Sequence, residues 1–272
     1  MNKAMMRVKK ALIYFLIIII SFIISIPFVW YFAVPVSLIK DSLEGSVSAQ
    51  NSQDGISVST EGLRKGFLFT VHADRIDFQA GRAPSLSITN ISVRINPFYL
   101  LKKQFVFSIK GTVGTGNIDG SFRLPASGEM ALTNIEINAI PYLTSLGLKG
   151  EGFISGKAVL KNNAIDVLFE IPDAALQDAV IKVPLPLSWF NKIQGVFSIT
   201  GNAVRIDSMT FEGEKGFARS KGSINNGIMD LELELMPDAG YFANERESLE
   251  LALIRQYRIS PGYYLIPVKG PV

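Results

Sequence analysis

The chain has 272 residues, 48% of them hydrophobic, with no cysteine, one histidine and a formal net charge of +3. The lack of cysteine excludes disulfides, thiol nucleophiles, iron–sulfur clusters and Cys-ligated zinc, and a single histidine cannot build a His-based metal site. Five of the 27 basic residues and none of the 24 acidic ones lie at or before Lys40, so the rest of the chain carries a net charge of −2 and lacks the phosphate-neutralising term of a nucleic-acid binder.

Residues 1–10 form a basic tail with Lys3, Arg7, Lys9 and Lys10. Residues 11–36 contain no charged side chain and are rich in Ile, Leu and Phe. At roughly 1.5 Å per residue this stretch reaches about 39 Å as a helix, enough to cross a hydrocarbon core of about 30 Å. Trp30 and Tyr31 near its distal end suit an aromatic interface belt, and Pro27 and Pro35 are tolerated better in a span than in a soluble helix. The excess of Lys and Arg before the span puts the N-terminus in the cytoplasm and residues 37–272 outside. The alternative is a cleaved signal peptide, whose apolar core is usually ~7–15 residues, shorter than this run. A sizeable exported domain without cysteine favours a bacterial envelope. The expected location is therefore the inner membrane, single-pass, with the bulk in the periplasm.

Residues 37–272 read as a β-rich domain. Phe67, Phe69 and Val71 begin a long alternating run whose apolar parity switches to Ile76 and Phe78. Phe105, Phe107 and Ile109 alternate with polar residues, as do Ile118, Phe122 and Leu124, and Ile165, Val167, Phe169 and Ile171. A second parity switch falls between Val204/Ile206 and Met209/Phe211; such switches mark bulges or bends. Met229, Leu231, Leu233 and Leu235 alternate with Asp230, Glu232 and Glu234. Asp54-Gly55, Asp119-Gly120 and Asn226-Gly227 are hairpin-type dipeptides, and the last predicts an antiparallel hairpin joining Phe217–Ile224 to Ile228–Met236. Short helical turns are expected at Tyr142–Leu146 and Asp173–Ala179, and one longer helix at Ala239–Tyr257. Without strand–helix alternation a parallel α/β fold is not expected. The expectation is a mainly β protein: a transmembrane helix followed by a curved antiparallel sheet, as a sandwich, a barrel or an open folded sheet.

Catalytic patterns are scarce. His72 lies inside a strand and no G-x-S-x-G elbow accompanies it, so a Ser-His-Asp triad is not expected. The run from Gly111 to Gly116 lacks the G-K-[ST] ending of a phosphate loop and reads as a tight strand-to-strand connection. Glu232/Glu234 read as a solubilising row on an exposed strand face rather than an acid–base pair. Neither catalysis nor a cofactor or metal is expected. An apolar sheet face can instead pack on itself or shelter acyl chains, whose burial is worth about 0.8 kcal/mol per methylene. The candidate groove residues are Phe67, Phe69, Phe107, Ile109, Phe122, Phe169, Phe197 and Phe211.

Three stretches carry a family resemblance. Leu86 to Pro97, followed by Tyr99-Leu100-Leu101, resembles the strand–Asn–strand–Pro unit of AsmA-like envelope proteins. Ile199 to Ala203, with Met209-Thr210-Phe211, Gly222-Ser223-Ile224 and Met229 to Leu233, resembles the repeating β unit of that superfamily. Tyr257 to Gly270 is similar to the C-terminal ending of the type II secretion system protein N family. The resemblance implies a non-enzymatic, inner-membrane-anchored component of the type II secretion system that meets other secretion proteins, or alternatively an AsmA-like protein that binds or transfers phospholipid. Tyr263, Tyr264 and Ile266 are the candidate partner-contact or strand-addition residues, because Tyr is enriched at interfaces; completion of a sheet edge is the other reading of this tail.

Overall fold

The computed structural model describes residues 13–18, 20–21, 25, 28–32, 35–41, 56–67, 69–80, 85–100, 102–124, 127–140, 150–162, 164–177, 179–180, 184–185, 187–201, 203–240 and 254–271. The predicted membrane segment 11–36 lies partly outside them. Its described pieces at 13–18, 20–21, 25 and 28–32 are helical. Among the described residues no helix is long and apolar enough to cross a membrane.

The strands, in chain order, are β1 (Ile56–Glu61), β2 (Arg64–Lys65), β3 (Thr70–Ala80), β4 (Leu86–Ile95), β5 (Phe105–Val113), β6 (Gly116–Leu124), β7 (Ser127–Glu136), β8 (Gly150–Glu151), β9 (Phe153–Lys161), β10 (Ala164–Ile171), β11 (Ala175–Leu176), β12 (Ala179–Val180), β13 (Pro184–Leu185), β14 (Lys192–Thr200), β15 (Ala203–Gly213), β16 (Gly216–Asn225), β17 (Ile228–Pro237), β18 (Arg258–Ser260) and β19 (Tyr263–Pro271). Fifteen of them form one sheet in the order β1-β3-β4-β5-β6-β7-β9-β10-β14-β15-β16-β17-β19-β18, with β2 beside β3. All of the pairings are antiparallel. The architecture is thus a mainly β meander.

The two ends of the strands are built differently. At one end, three long connections depart, from β7 to β9, from β10 to β14 and from β17 to β18. Their described parts pack Ile137, Ala174, Leu176, Leu187, Trp189, Phe190 and Ile254 against Ile154, Ile171, Ile193, Ala218, Leu235 and Tyr264. Val113, Ile118 and Ile135 continue this core toward the first strands. We call this the packed end. At the other end, the rim, only two residues separate β9 from β10, β14 from β15 and β16 from β17. At Asn226-Gly227 both residues have positive φ, 49° and 74°, as a type I′ hairpin turn requires. This is the predicted hairpin, with Asn225 opposite Ile228.

The predicted parity switch in β15 is a bulge: Val196 faces Ser208 and Phe197 faces Ile206, leaving Asp207 as the extra residue. The switch in β3 has its counterpart in β4, where Asn90 has a φ of 51° and the register with β5 shifts between Thr89 and Ser92. A third shift, between Leu132 and Ile135, lies at Asn134, with a φ of 53°.

Some expectations need correction. Asp119-Gly120 is no turn; both residues lie in β6, and the turn joining β5 to β6 is Gly114-Thr115. Asp173–Ala179 forms no helix: Asp173 has a φ of 53° and β11 follows. Asp54-Gly55 and Tyr142–Leu146 lie outside the described residues, as does most of Ala239–Tyr257. Of the latter, Arg255–Tyr257 is a single 3₁₀ turn.

Candidate functional site

The registers of successive strand pairs place one line of residues side by side near the rim. It runs Ile95, Phe107, Phe122, Gly128, Leu160, Ile165, Ile199, Val204, Ile224, Met229 and Gly270, from β4 to β19. Eleven strands contribute, and none of these residues is polar. At about 4.8 Å per strand the line extends about 48 Å along the sheet. Every member is half-buried, in contrast to the packed end. Two residues further from the rim, Ile109, Gly120, Met130, Ala158, Val167, Phe197 and Ile206 form a second line on the same face. A third, from Ile118 through Leu132, Gly156, Phe169, Gly195 and Met209, leads into the packed end.

Aromatic rings and glycines interlock on this face. Phe107 and Phe122 stack with centroids 5.4 Å apart, and Phe105 lies 5.8 Å from Phe107. A Cβ on Gly120 would come within 2.9 Å of the Phe122 ring, and one on Gly128 would strike the same ring. Phe169 covers Gly195 in the same way and meets Phe197 at 6.0 Å, edge to face. Glycine is therefore required where a neighbouring ring lies flat over the strand.

The opposite face carries exposed ion pairs beside the exposed apolar side chains of Leu168 and Val196. Lys110–Asp119, Lys157–Glu129, Lys221–Glu232 and Lys269–Asp230 are ion pairs at 2.7 to 3.1 Å, all exposed, and such pairs add little to stability. Glu232 and Glu234 hydrogen-bond Lys221 and raise its pKa above the ordinary lysine value. On β3, the Ser87 hydroxyl and then the Arg75 guanidinium hold the Asp77 carboxyl below the usual aspartate value. A cavity of about 500 Å³ also opens at the rim, lined by Arg94, Asn96, Pro97, Phe98, Val106, Phe107, Ser108 and Ser121.

Of the predicted groove residues, Phe107, Ile109, Phe122, Phe169 and Phe197 share the apolar face. Phe211 shares it too, but at the packed end, against Phe190 at 5.6 Å. Phe67 and Phe69 lie outside the strands, in the turn between β2 and β3. Phe67 is exposed, and Phe69 has a φ of 59° and sits 5.2 Å from the Trp30 ring. Tyr264 and Ile266 are buried in the core between β17 and β18, so their side chains offer no exposed contact surface; Tyr263 is half-buried. The predicted groove set holds phenylalanines and Ile109 and lacks the aliphatic members Leu160, Ile165, Ile199, Val204 and Ile224. Their signal was the apolar alternation itself, in register with glycines at Gly128 and Gly270. His72 lies in β3 opposite Ser92, and among the described residues no group of His, Asp and Glu is placed to hold a metal.

Comparison of the chain with protein-family models, with curated proteins and with solved structures finds no match.

Proposed function

We propose that this chain is a non-enzymatic lipid-binding protein of the bacterial envelope, anchored in the inner membrane by residues 11–36, with its apolar sheet face curled around acyl chains in the manner of AsmA-like proteins. The observation that carries the reading is the unbroken, half-buried apolar line across eleven strands. A face meant only as core would be covered as the packed end is. Burying ten methylenes of an acyl chain there contributes roughly 8 kcal/mol, which offsets the loss of those same methylenes' burial in the bilayer.

The test is native mass spectrometry of the full chain released from lipid nanodiscs. Wild type carries phospholipid in stoichiometric amount. Ile165→Lys/Ile199→Lys, which puts two charges in the line, lowers the bound lipid by about tenfold or more, because an unpaired charge in an apolar site is costly. Leu168→Lys, on the opposite face where Leu168 is 58% exposed, leaves it unchanged. A lipid-free wild type, or equal loss in both variants, refutes the reading.

The second reading, a type II secretion component, rests on the likeness of Tyr257 to Gly270. In the fold this stretch supplies β18 and β19, and packing accounts for Tyr264 and Ile266. Co-purification of secretion proteins with the full chain, unaltered by Ile165→Lys/Ile199→Lys, would favour it.

A further inference from the structure

We propose that the rim of β3, β4 and β5 seats on the surface of an anionic membrane leaflet, with Phe67, Phe98 and Phe105 entering it. The inference rests on the reading of residues 11–36 as a membrane anchor and adds to it an orientation of the sheet. Phe67 is 77% exposed, Phe98 76% and Phe105 38%. They lie just before β3, just after β4 and at the start of β5. The registers Thr70–Arg94 and Ile95–Phe107 bring these three points to one end of neighbouring strands. Large exposed rings gathered at one strand end mark a surface for an apolar partner.

The partner is identified by what adjoins the patch. The helical piece 28–32 lies against it. Lys65 Nζ donates to the Trp30 and Tyr31 carbonyls at 3.0 and 2.8 Å, and Trp30 Nε1 donates to the Gly66 carbonyl at 3.4 Å. The distal end of the apolar segment and the strand end thus touch, so a bilayer that holds one reaches the other. The charge fits the same partner. From Arg94 to Ile109 the chain has three cations, Arg94, Lys102 and Lys103, and no acidic residue. Lys102 and Arg123 lie over the Tyr99 ring at 5.9 and 5.7 Å. Tyr and Trp beside Lys and Arg form the composition of a membrane–water interface, and the cations complement lipid phosphates. The apolar line begins at this rim, at Ile95 and Phe107, so a seated rim places its mouth against the leaflet.

The native chain lacks cysteine, so one nitroxide can be placed at will. The full chain is reconstituted in phosphatidylethanolamine vesicles containing phosphatidylglycerol, as Phe67→Cys, Phe98→Cys or Ile259→Cys. Ile259 is 65% exposed at the packed end and serves as the control. Power saturation should show labels at 67 and 98 shielded several-fold from a water-soluble nickel chelate, and open to oxygen, relative to 259. Shielding should weaken in vesicles without phosphatidylglycerol; full shielding there overturns the role given to the cations. If 67 and 98 are as open to nickel as 259 while the chain resists alkaline carbonate extraction, the seated rim is wrong and the anchor stands. Release by carbonate refutes the anchor reading and this inference with it. Lipid co-purifying with the same variants scores the groove independently.

Discussion

At the scale of single residues, the apolar face is set by pairs of a ring and a glycine. Phe169 lies over Gly195, and Phe122 over Gly120 and Gly128. Each pairing lets a bulky ring lie along the sheet, and each forbids a side chain at the glycine it covers. Gly195→Ala therefore overpacks the site and should lower stability in urea by about 1–3 kcal/mol. Gly195→Ala/Phe169→Leu should recover most of that loss, a coupling that a double-mutant cycle measures directly. If the two changes add without coupling, the ring is not what keeps residue 195 a glycine. Sequence patterns display only half of this device. The alternation around Phe122 and Phe169 was legible, but Asp119-Gly120 reads as a turn because the ring that demands its glycine is on the same strand, two residues away. The dipeptide contains no sign of it.

At the scale of elements, bulges and hairpins keep eleven strands in step. The parity switch between Val204/Ile206 and Met209/Phe211 marks the bulge at Asp207, since an extra residue must reverse the alternation if one face is to stay apolar. The switch after Val71 was equally readable, although the positive φ associated with it falls on Asn90, in the partner strand. The hairpin at Asn226-Gly227 follows from its turn chemistry, as both residues need the left-handed region. Asn226→Ala/Gly227→Ala should cost about 2–4 kcal/mol, as each left-handed alanine costs roughly 1–2 kcal/mol. Thermal and urea unfolding check this; an unchanged midpoint would show that the turn does not set the β16–β17 register. What these patterns do not carry is the end of the strand at which a residue sits. Alternation assigns Phe211, Tyr264 and Ile266 to a face, and only the long connections that carry Trp189, Phe190 and Ile254 decide that they are buried.

At the scale of the whole molecule, the sheet is asymmetric. Its packed end gathers the buried core, and its rim ends in short turns, a half-buried apolar line and exposed phenylalanines. That asymmetry was not legible beforehand, since it depends on which connections are long and on where they fold back. It explains why one strand pattern can supply both a buried core and a half-buried apolar face. The measurement that tests this most directly is photo-crosslinking from the sheet in membranes, with benzoylphenylalanine placed in the full chain at Ile199 or at Leu168. The account predicts phospholipid adducts from Ile199 and none from Leu168. Adducts from neither position, with the chain folded and membrane-bound, would contradict it and leave the apolar line as core alone.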